Sequence, residues 1–326
     1  MKFVVYGAGA VGGVVGGRLA QHGHEVSLVA RGAHARAMRE RGLVLESAEG
    51  TARLDLEVAE HPAELSIDAA TVVLVAVKSQ ATHAVLEALH GQVPAETPIV
   101  CLQNGVENER AALRLFPNVY GICVMCPTGH LTPGVVQAFS SPVAGILDIG
   151  RYPAGVDETA NAVAGALHGA TFVSVARPDI ARWKSNKLLM NLGNAIDALC
   201  GAGARGGPLR RAARTEGAAC LEAAGIPFVS DAEEKERRGD LLQVHRSLGE
   251  GPRPGSSSWQ SLQRGTGTVE ADYLNGEIVL LGRLHGVPTP VNELLQRLMD
   301  DAARAGRPPG SVTEAELLDR LELSSS

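Results

Sequence analysis

The feature that most restricts this chain is a glycine-spaced turn, Gly7-Ala8-Gly9-Ala10-Val11-Gly12. It lies between a short apolar run, Lys2-Phe3-Val4-Val5-Tyr6, and a stretch of helical texture reaching Ala20. Three glycines at this spacing mean little alone. Between a buried strand and a helix start they form a dinucleotide-binding turn: the first permits the tight turn, the second lets backbone approach a pyrophosphate, and the third lets helix pack on strand. The helix N-terminus adds N–H groups and the positive end of its dipole. Gly7, Ala8, Gly9, Ala10, Val11 and Gly12 are therefore candidate cofactor-binding residues.

Val26 to Ala30 reads as the second strand, and Arg31 follows it, with Arg36 a short way on. An enzyme specific for NAD usually carries Asp or Glu there to hold the ribose 2′-hydroxyl. A guanidinium instead pairs phosphate oxygens bidentately, whereas a carboxylate repels them, so NADP is the expected cofactor. A merely solvated loop arginine is the plainer alternative.

Further apolar runs at Val72 to Val77, Ile99 to Leu102 and Val119 to Val124 are separated by helix-like stretches, Thr82 to Leu89 and Asn108 to Leu115. The alternation predicts an α/β fold with a Rossmann-type, doubly wound parallel sheet. Lys78 and Asn104 follow two of these strands, at the ends where such sheets present ligands. Lys78 suits the cofactor and Asn104 the nicotinamide ribose or a substrate; each is equally at home as a turn residue. Between Thr128 and Phe172, Val135 to Ala138 and Gly145 to Ile149 read as edge strands, followed by a helix from Asp157 to Leu167.

After Arg177-Pro178-Asp179 the texture is helical: through Leu199, then Leu209 to Ala224, Ala232 to Ser247, Val269 to His285 and Val291 to Ala305. At 326 residues the chain exceeds what one core usually organises. A cofactor domain over 1–178 and an all-helical substrate and dimerisation domain over 179–326 are expected. Gly249 to Ser258, rich in Gly, Pro and Ser, is either a connector or a substrate loop, and the terminal serines 324–326 are expected to fray.

On a helix from 179 to 199, Trp183, Lys187, Asn191 and Asn194 share one face, while Leu188, Leu189, Leu192, Ile196 and Leu199 make the rest apolar. A lysine and two amides on a buried helix need partners, so the stripe lines a cleft or else is an exposed face. Glu270, in Val269-Glu270-Ala271-Asp272-Tyr273, reads by itself as a carboxylate compensating a helix N-terminus.

A net charge of −6 without a basic run argues against a nucleic-acid footprint. No 18 apolar residues run together and the N-terminal run is too short for a signal peptide, so a cytoplasmic protein without membrane contact is expected. The five cysteines read as reduced thiols; Cys123-Val124-Met125-Cys126 has the spacing of a metal or redox pair but no second pair completes it, and no metal is expected. Aromatic residues make up 3%, so aliphatic side chains must fill the core.

Taken together, GAGAVG at 7–12, Arg31, VKSQ at 77–80, QNGVEN at 103–108, KLLMN at 187–191, SS at 257–258, EADYLNG at 270–276 and HGVPTPVNELL at 285–295 resemble the ketopantoate reductase (2-dehydropantoate 2-reductase) family in order and spacing. The resemblance implies a Rossmann domain followed by an all-helical domain, in a commonly dimeric enzyme of pantothenate biosynthesis. It implies that NADPH reduces a small 2-oxo acid, 2-dehydropantoate, to pantoate. Lys187 would be the catalytic lysine and Glu270 an active-site carboxylate. Asn104, Asn191 and Ser258 would bind substrate, with Asn194 in place of a displaced family asparagine. Arg31 and Lys78 would contact NADP, with Asn104 serving that site too. Trp183 stands four residues before the lysine rather than two, and position 195 is alanine. The rivals are a reductase of another 2-oxo acid or an imine, and an NADP-binding redox sensor without turnover.

Overall fold

The computed structural model describes residues 1–201, 204, 206–248, 251–252 and 254–324. The expected features at Gly249, Glu250, Arg253, Ser325 and Ser326 lie outside them. The chain divides into two compact units, residues 1–184 with 229–253, and 185–228 with 254–326.

The strands of the first unit are β1 (Lys2–Tyr6), β2 (Glu25–Val29), β3 (Leu43–Ser47), β4 (Gly50–Leu54), β5 (Glu57–Ala59), β6 (Thr71–Val75), β7 (Ile99–Cys101), β8 (Val119–Met125), β9 (Thr128–Gly129), β10 (Val135–Ala138), β11 (Gly145–Arg151) and β12 (Phe172–Val173). Its helices include α1 (Ala10–Gln21), α2 (Gly32–Arg41), α3 (Thr82–Leu89), α4 (Asn108–Leu113) and α5 (Glu158–Gly169). The main sheet runs β12-β11-β8-β7-β6-β1-β2-β5. Its six strands from β8 to β5 are parallel, and β11 closes antiparallel on β8. This is the expected α/β doubly wound architecture, with strand order reversing between β1 and β6.

Alternate residues of β1 enter two cores. Phe3 and Val5 pack with Val14, Val15 and Leu19 of α1, while Val4 and Tyr6 pack with Val85, Leu86 and Leu89 of α3. A strand buried on both faces reads as a continuous apolar run, which is why β1 and β6 were legible. β11 is not an edge strand, since β12 lies outside it, and β10 belongs to a separate sheet of order β4-β3-β10-β9. The β3–β4 hairpin has only one well-buried face, and its polar alternation left it unread.

Cys123 and Cys126, three apart along an extended segment, point to opposite faces and contact the carbonyls of Trp183 and Ala144 respectively. Burial pushes the Cys126 thiol up to about 12.

Two further helices, α6 (Ile180–Asn191) and α7 (Asn194–Cys200), replace the single helix expected from 179 to 199. The interruption at Leu192-Gly193 removes Asn194 from the face of Trp183, Lys187 and Asn191. The five leucines and isoleucines expected inside are buried: Leu188, Leu189, Leu192, Ile196 and Leu199. The first half of α6 belongs to the N-terminal unit rather than beginning a new domain at 179, because Ile180, Trp183 and Lys184 are buried there.

The helix expected over Ala232 to Ser247 ends early. After α8 (Pro208–Ala223), α9 covers only Asp231–Arg238 and stops at Gly239, whose φ is +45°. Segment 229–253 belongs to the N-terminal unit because Arg237 reaches Asp148 at 2.6 Å, Glu233 reaches Arg182 at 3.2 Å, and the His245 N–H donates to the Phe139 carbonyl at 2.7 Å. Asp148 also takes Arg177, so one carboxylate, 3% exposed, holds two guanidiniums.

The helical unit continues with α10 (Ser257–Gln263), α11 (Asn275–His285), α12 (Pro290–Arg304) and α13 (Glu314–Ser324). The helix expected from Val269 to His285 is divided: a short 3-10 turn, Ala271–Tyr273, precedes α11. Pro290 opens α12, and Glu216 of α8 accepts the N–H groups of Val291 and Asn292 at 2.9 and 3.0 Å. That carboxylate serves as the cap, and burial pushes it above its ordinary range against the pull of these bonds.

Candidate active site

In the N-terminal unit the glycine turn lies at the C-terminal end of β1, where the strand order reverses and open sheets bind ligands. Gly7 has φ +107°, and a Cβ there would meet the Val77 nitrogen at 2.8 Å. A Cβ on Gly12 would run into the Gly7 carbonyl oxygen. Beside Gly9, by contrast, nothing among the described residues lies within 4 Å of an added Cβ. The N–H groups of Gly9 to Gly12 have no acceptor inside α1, whose first ladder bond runs from Gly13 to Gly9. Open space over unladdered donors at a dipole-positive helix end fits the pyrophosphate of a dinucleotide.

Arg31 is the exposed N-cap residue of α2, and its guanidinium donates to the Tyr6 hydroxyl at 3.3 Å. The side chain is thus held beside the end of β1. Three residues on, His34 is a contact that sequence reasoning missed: the Gly134 N–H donates to its Nδ1 at 2.8 Å, so Nε2 carries the proton and donates to the Ala8 carbonyl at 2.7 Å. Its partner loop is distant in sequence, and no local pattern signals it.

Lys78 caps a short turn, Ser79–Ala81, after β6, and Asn104 follows β7. The two loops are joined by a polar network. The Gln103 amide donates to the Val77 carbonyl and the Thr82 hydroxyl, both at 2.8 Å, and Asn108 donates to Ser79 Oγ at 3.2 Å and to the Asn104 carbonyl at 2.9 Å. VKSQ and QNGVEN thus build one support, in which Gln103 and Asn108 hold the loops that present Lys78 and Asn104.

Under this support lies a buried ion pair. Lys184 of α6 meets Glu109 of α4 at 2.7 Å, with side chains 5% and 1% exposed. The Lys184 ammonium also donates to the carbonyls of Gln103 at 2.8 Å and Ile122 at 3.2 Å. Burial raises the Glu109 carboxyl while the Lys184 charge pulls it down.

The remaining candidates belong to the helical unit. Lys187 is only partly buried, whereas Leu188, Leu189 and Asn191 are buried. Ser258 on α10 is 5% exposed, and Glu270, just before the 3-10 turn, 8%. Hydrogen bonds bring their segments together at the α6–α7 break. Asn275 donates to the Leu192 carbonyl at 3.2 Å, the Ser256 hydroxyl to the Asn194 carbonyl at 3.2 Å, and the Ser256 N–H to Asp197 at 2.6 Å. Asn191, Asn194, Ser258 and Glu270 therefore sit on segments stitched to each other inside one unit, while Gly7 to Gly12, Arg31, Lys78 and Asn104 sit in the other. Among the described residues, no cluster of three metal-ligating side chains occurs and no helix is long and apolar enough to cross a membrane.

A doubly wound sheet with a glycine turn and an open helix N-terminus at its switch point defines a dinucleotide-binding unit. Residues 3–153 match the family described as "Ketopantoate reductase PanE/ApbA", and residues 179–303 match its C-terminal region. The chain belongs to the ketopantoate reductase PanE/ApbA family and is an NAD(P)-dependent oxidoreductase. It is 32% identical to a 2-dehydropantoate 2-reductase of Halobacterium salinarum, covering 94% of this chain and 100% of that protein. It is 30% identical to one of Pyrococcus horikoshii, covering 92% and 96%. A solved PanE/ApbA family ketopantoate reductase from Ralstonia eutropha superimposes with a TM-score of 0.77 at 29% identity, over 94% of this chain and all of that one.

Proposed function

We propose that this protein reduces 2-dehydropantoate to pantoate with NADPH. The observation that carries the substrate is the full-length match to 2-dehydropantoate 2-reductases, which includes the KLLMN segment of α6. Bound NADPH would supply the hydride that the 2-oxo carbon accepts. Lys187, as an ammonium, meets the negative charge developing on the oxygen and gives it a proton. Glu270 is the carboxylate of the site and either orients the substrate hydroxyl or keeps Lys187 charged. Asn104, Asn191 and Ser258 hydrogen-bond the carboxylate and hydroxyl of the substrate, and Asn194 is an accessory polar contact. Gly7 to Gly12 cradle the pyrophosphate, and Lys78 holds the cofactor.

Steady-state NADPH oxidation with 2-dehydropantoate, other 2-oxo acids and an imine tests the reading. A higher kcat/KM for 2-dehydropantoate than for any analogue is expected. A better analogue reassigns the substrate, and NADPH binding without oxidation by any of them would make the protein a redox sensor.

The choice of NADPH over NADH rests on Arg31, anchored to Tyr6 at the end of β1. Arg31→Asp exchanges phosphate pairing for repulsion, so the ratio of kcat/KM values for NADPH and NADH is expected to fall by about 10-fold or more, the scale of a lost charge-assisted pair. Equal efficiency with both cofactors in the parent would remove Arg31 from this role.

A further inference from the structure

Helix α6 carries two lysines three residues apart. Lys187 is partly exposed; Lys184 is one of the most deeply buried charges in the N-terminal unit, its side chain 5% exposed. Its ammonium has three oxygen partners: it is ion-paired with Glu109 at 2.7 Å and donates to the Gln103 carbonyl at 2.8 Å and the Ile122 carbonyl at 3.2 Å. These three come from α4, from the loop after β7 and from β8, so one group binds α6 to three separate elements. The strand beneath is cut to fit: a Cβ on Gly121 of β8 would stand 2.9 Å from the Glu109 carboxylate and 3.1 Å from Lys184 Cδ.

Taking both charges out of water is expensive, and an apolar pair of the same volume would usually hold such a helix as well or better. What such a pair can add is direction, since its bonds favour one register of the helix along and around its axis. Gln103 immediately precedes Asn104, and Glu109 immediately follows Asn108, whose amide holds the Asn104 carbonyl at 2.9 Å. The pair therefore ties the loop that presents Asn104 to the first half of α6.

We propose that Lys184 and Glu109 form a positioning pair that sets the register of α6 and so the presentation of Lys187, one turn further along the same helix. The catalytic importance of the pair rests on the role given above to Lys187; its effect on α6 does not.

The test compares Lys184→Met, Glu109→Leu and the double variant Lys184→Met/Glu109→Leu, with Lys184→Arg as a variant that keeps the charge. Urea unfolding, NADPH affinity, kcat, and hydrogen exchange of the α6 amides are measured on each full-length protein. Each single variant leaves one unpaired buried charge and is expected to unfold at lower urea than the parent. The double variant is expected to recover the parent midpoint and an NADPH Kd within about 3-fold, yet to keep a kcat about 10- to 100-fold down, the scale of a small misplacement of a reacting group. Its amides from Ser185 to Asn191 should exchange faster, while those of α12 stay unchanged. Lys184→Arg, whose forked head cannot reproduce the three bonds, is expected to show the same loss of kcat and remains informative if the double variant does not fold.

Recovery of both midpoint and kcat in the double variant, with parent-like exchange in α6, would overturn the proposal and leave the pair a fold element. Parent-like kcat and exchange in Lys184→Arg would overturn it equally. If exchange rises but Lys187→Ala proves active, the positioning of α6 stands and the role of Lys187 is what fails.

Discussion

Replacing Lys187 with alanine is expected to lower kcat for 2-oxo acid reduction by about 100-fold or more, the usual scale for removing a positioned acid and charge stabiliser. The NADPH dissociation constant should stay within a few-fold of the parent. The reason is the distribution of groups: the residues that fit the dinucleotide lie at the C-terminal ends of β1, β2, β6 and β7, whereas Lys187 belongs to the helical unit. Truncating a partly exposed side chain on a helix whose apolar face stays packed should leave the fold intact. Steady-state kinetics beside a fluorescence titration of NADPH separates the two quantities. A variant within about 3-fold of the parent would reject Lys187 as the acid.

The second large effect concerns stability. Asp148 is 3% exposed and holds Arg177 at 2.5 Å and Arg237 at 2.6 Å, and Arg177 in turn lies over the Trp183 ring at 4.0 Å. One carboxylate thus ties β11, the start of α6 and the returning segment with α9 into a single unit. Asp148→Ala leaves two facing guanidiniums without their shared partner, and breaking a buried pair of this kind costs about 3–5 kcal/mol. Both arginines keep some solvent, with side chains 21% and 16% exposed, which places the loss near the lower figure. Against a total of about 5–15 kcal/mol for a typical domain, that is a large share. Urea unfolding should show a lower midpoint, and limited proteolysis should cut first within 229–248. An unchanged midpoint and cleavage pattern would mean that Asp148 does not hold this segment.

The groups involved in these two predictions were not equally legible. Lys187 is legible because KLLMN stands in order and spacing among the other motifs of the resemblance. Asp148 is not: in Gly145-Ile146-Leu147-Asp148-Ile149 it looks like the polar member of an edge strand, and its two arginines are remote along the chain. Lys184 is hidden beside Lys187 for a related reason, since two lysines three apart on a helix are neighbours in any pattern and only the packing buries one of them.

By itself the sequence determined what depends on neighbours a few residues apart. The apolar run of β1, the glycine spacing that turns it into α1, the alternation of strand and helix from β6 to β8, the extent of α3 and the buried leucines of α6 and α7 all follow from period, capping and turn chemistry. Tertiary structure decided what depends on partners brought together from far along the chain. It split the helix after Asn191, where the Leu192 carbonyl is instead taken by Asn275. It also returned residues 229–253 to the N-terminal unit through Asp148, joined the Lys78 and Asn104 loops through Gln103 and Asn108, and buried Lys184 on Glu109. The physical reason is that a charge or amide carries no mark of its future partner: burial without one is costly, so the pairing is chosen only when packing has already brought two distant segments into contact.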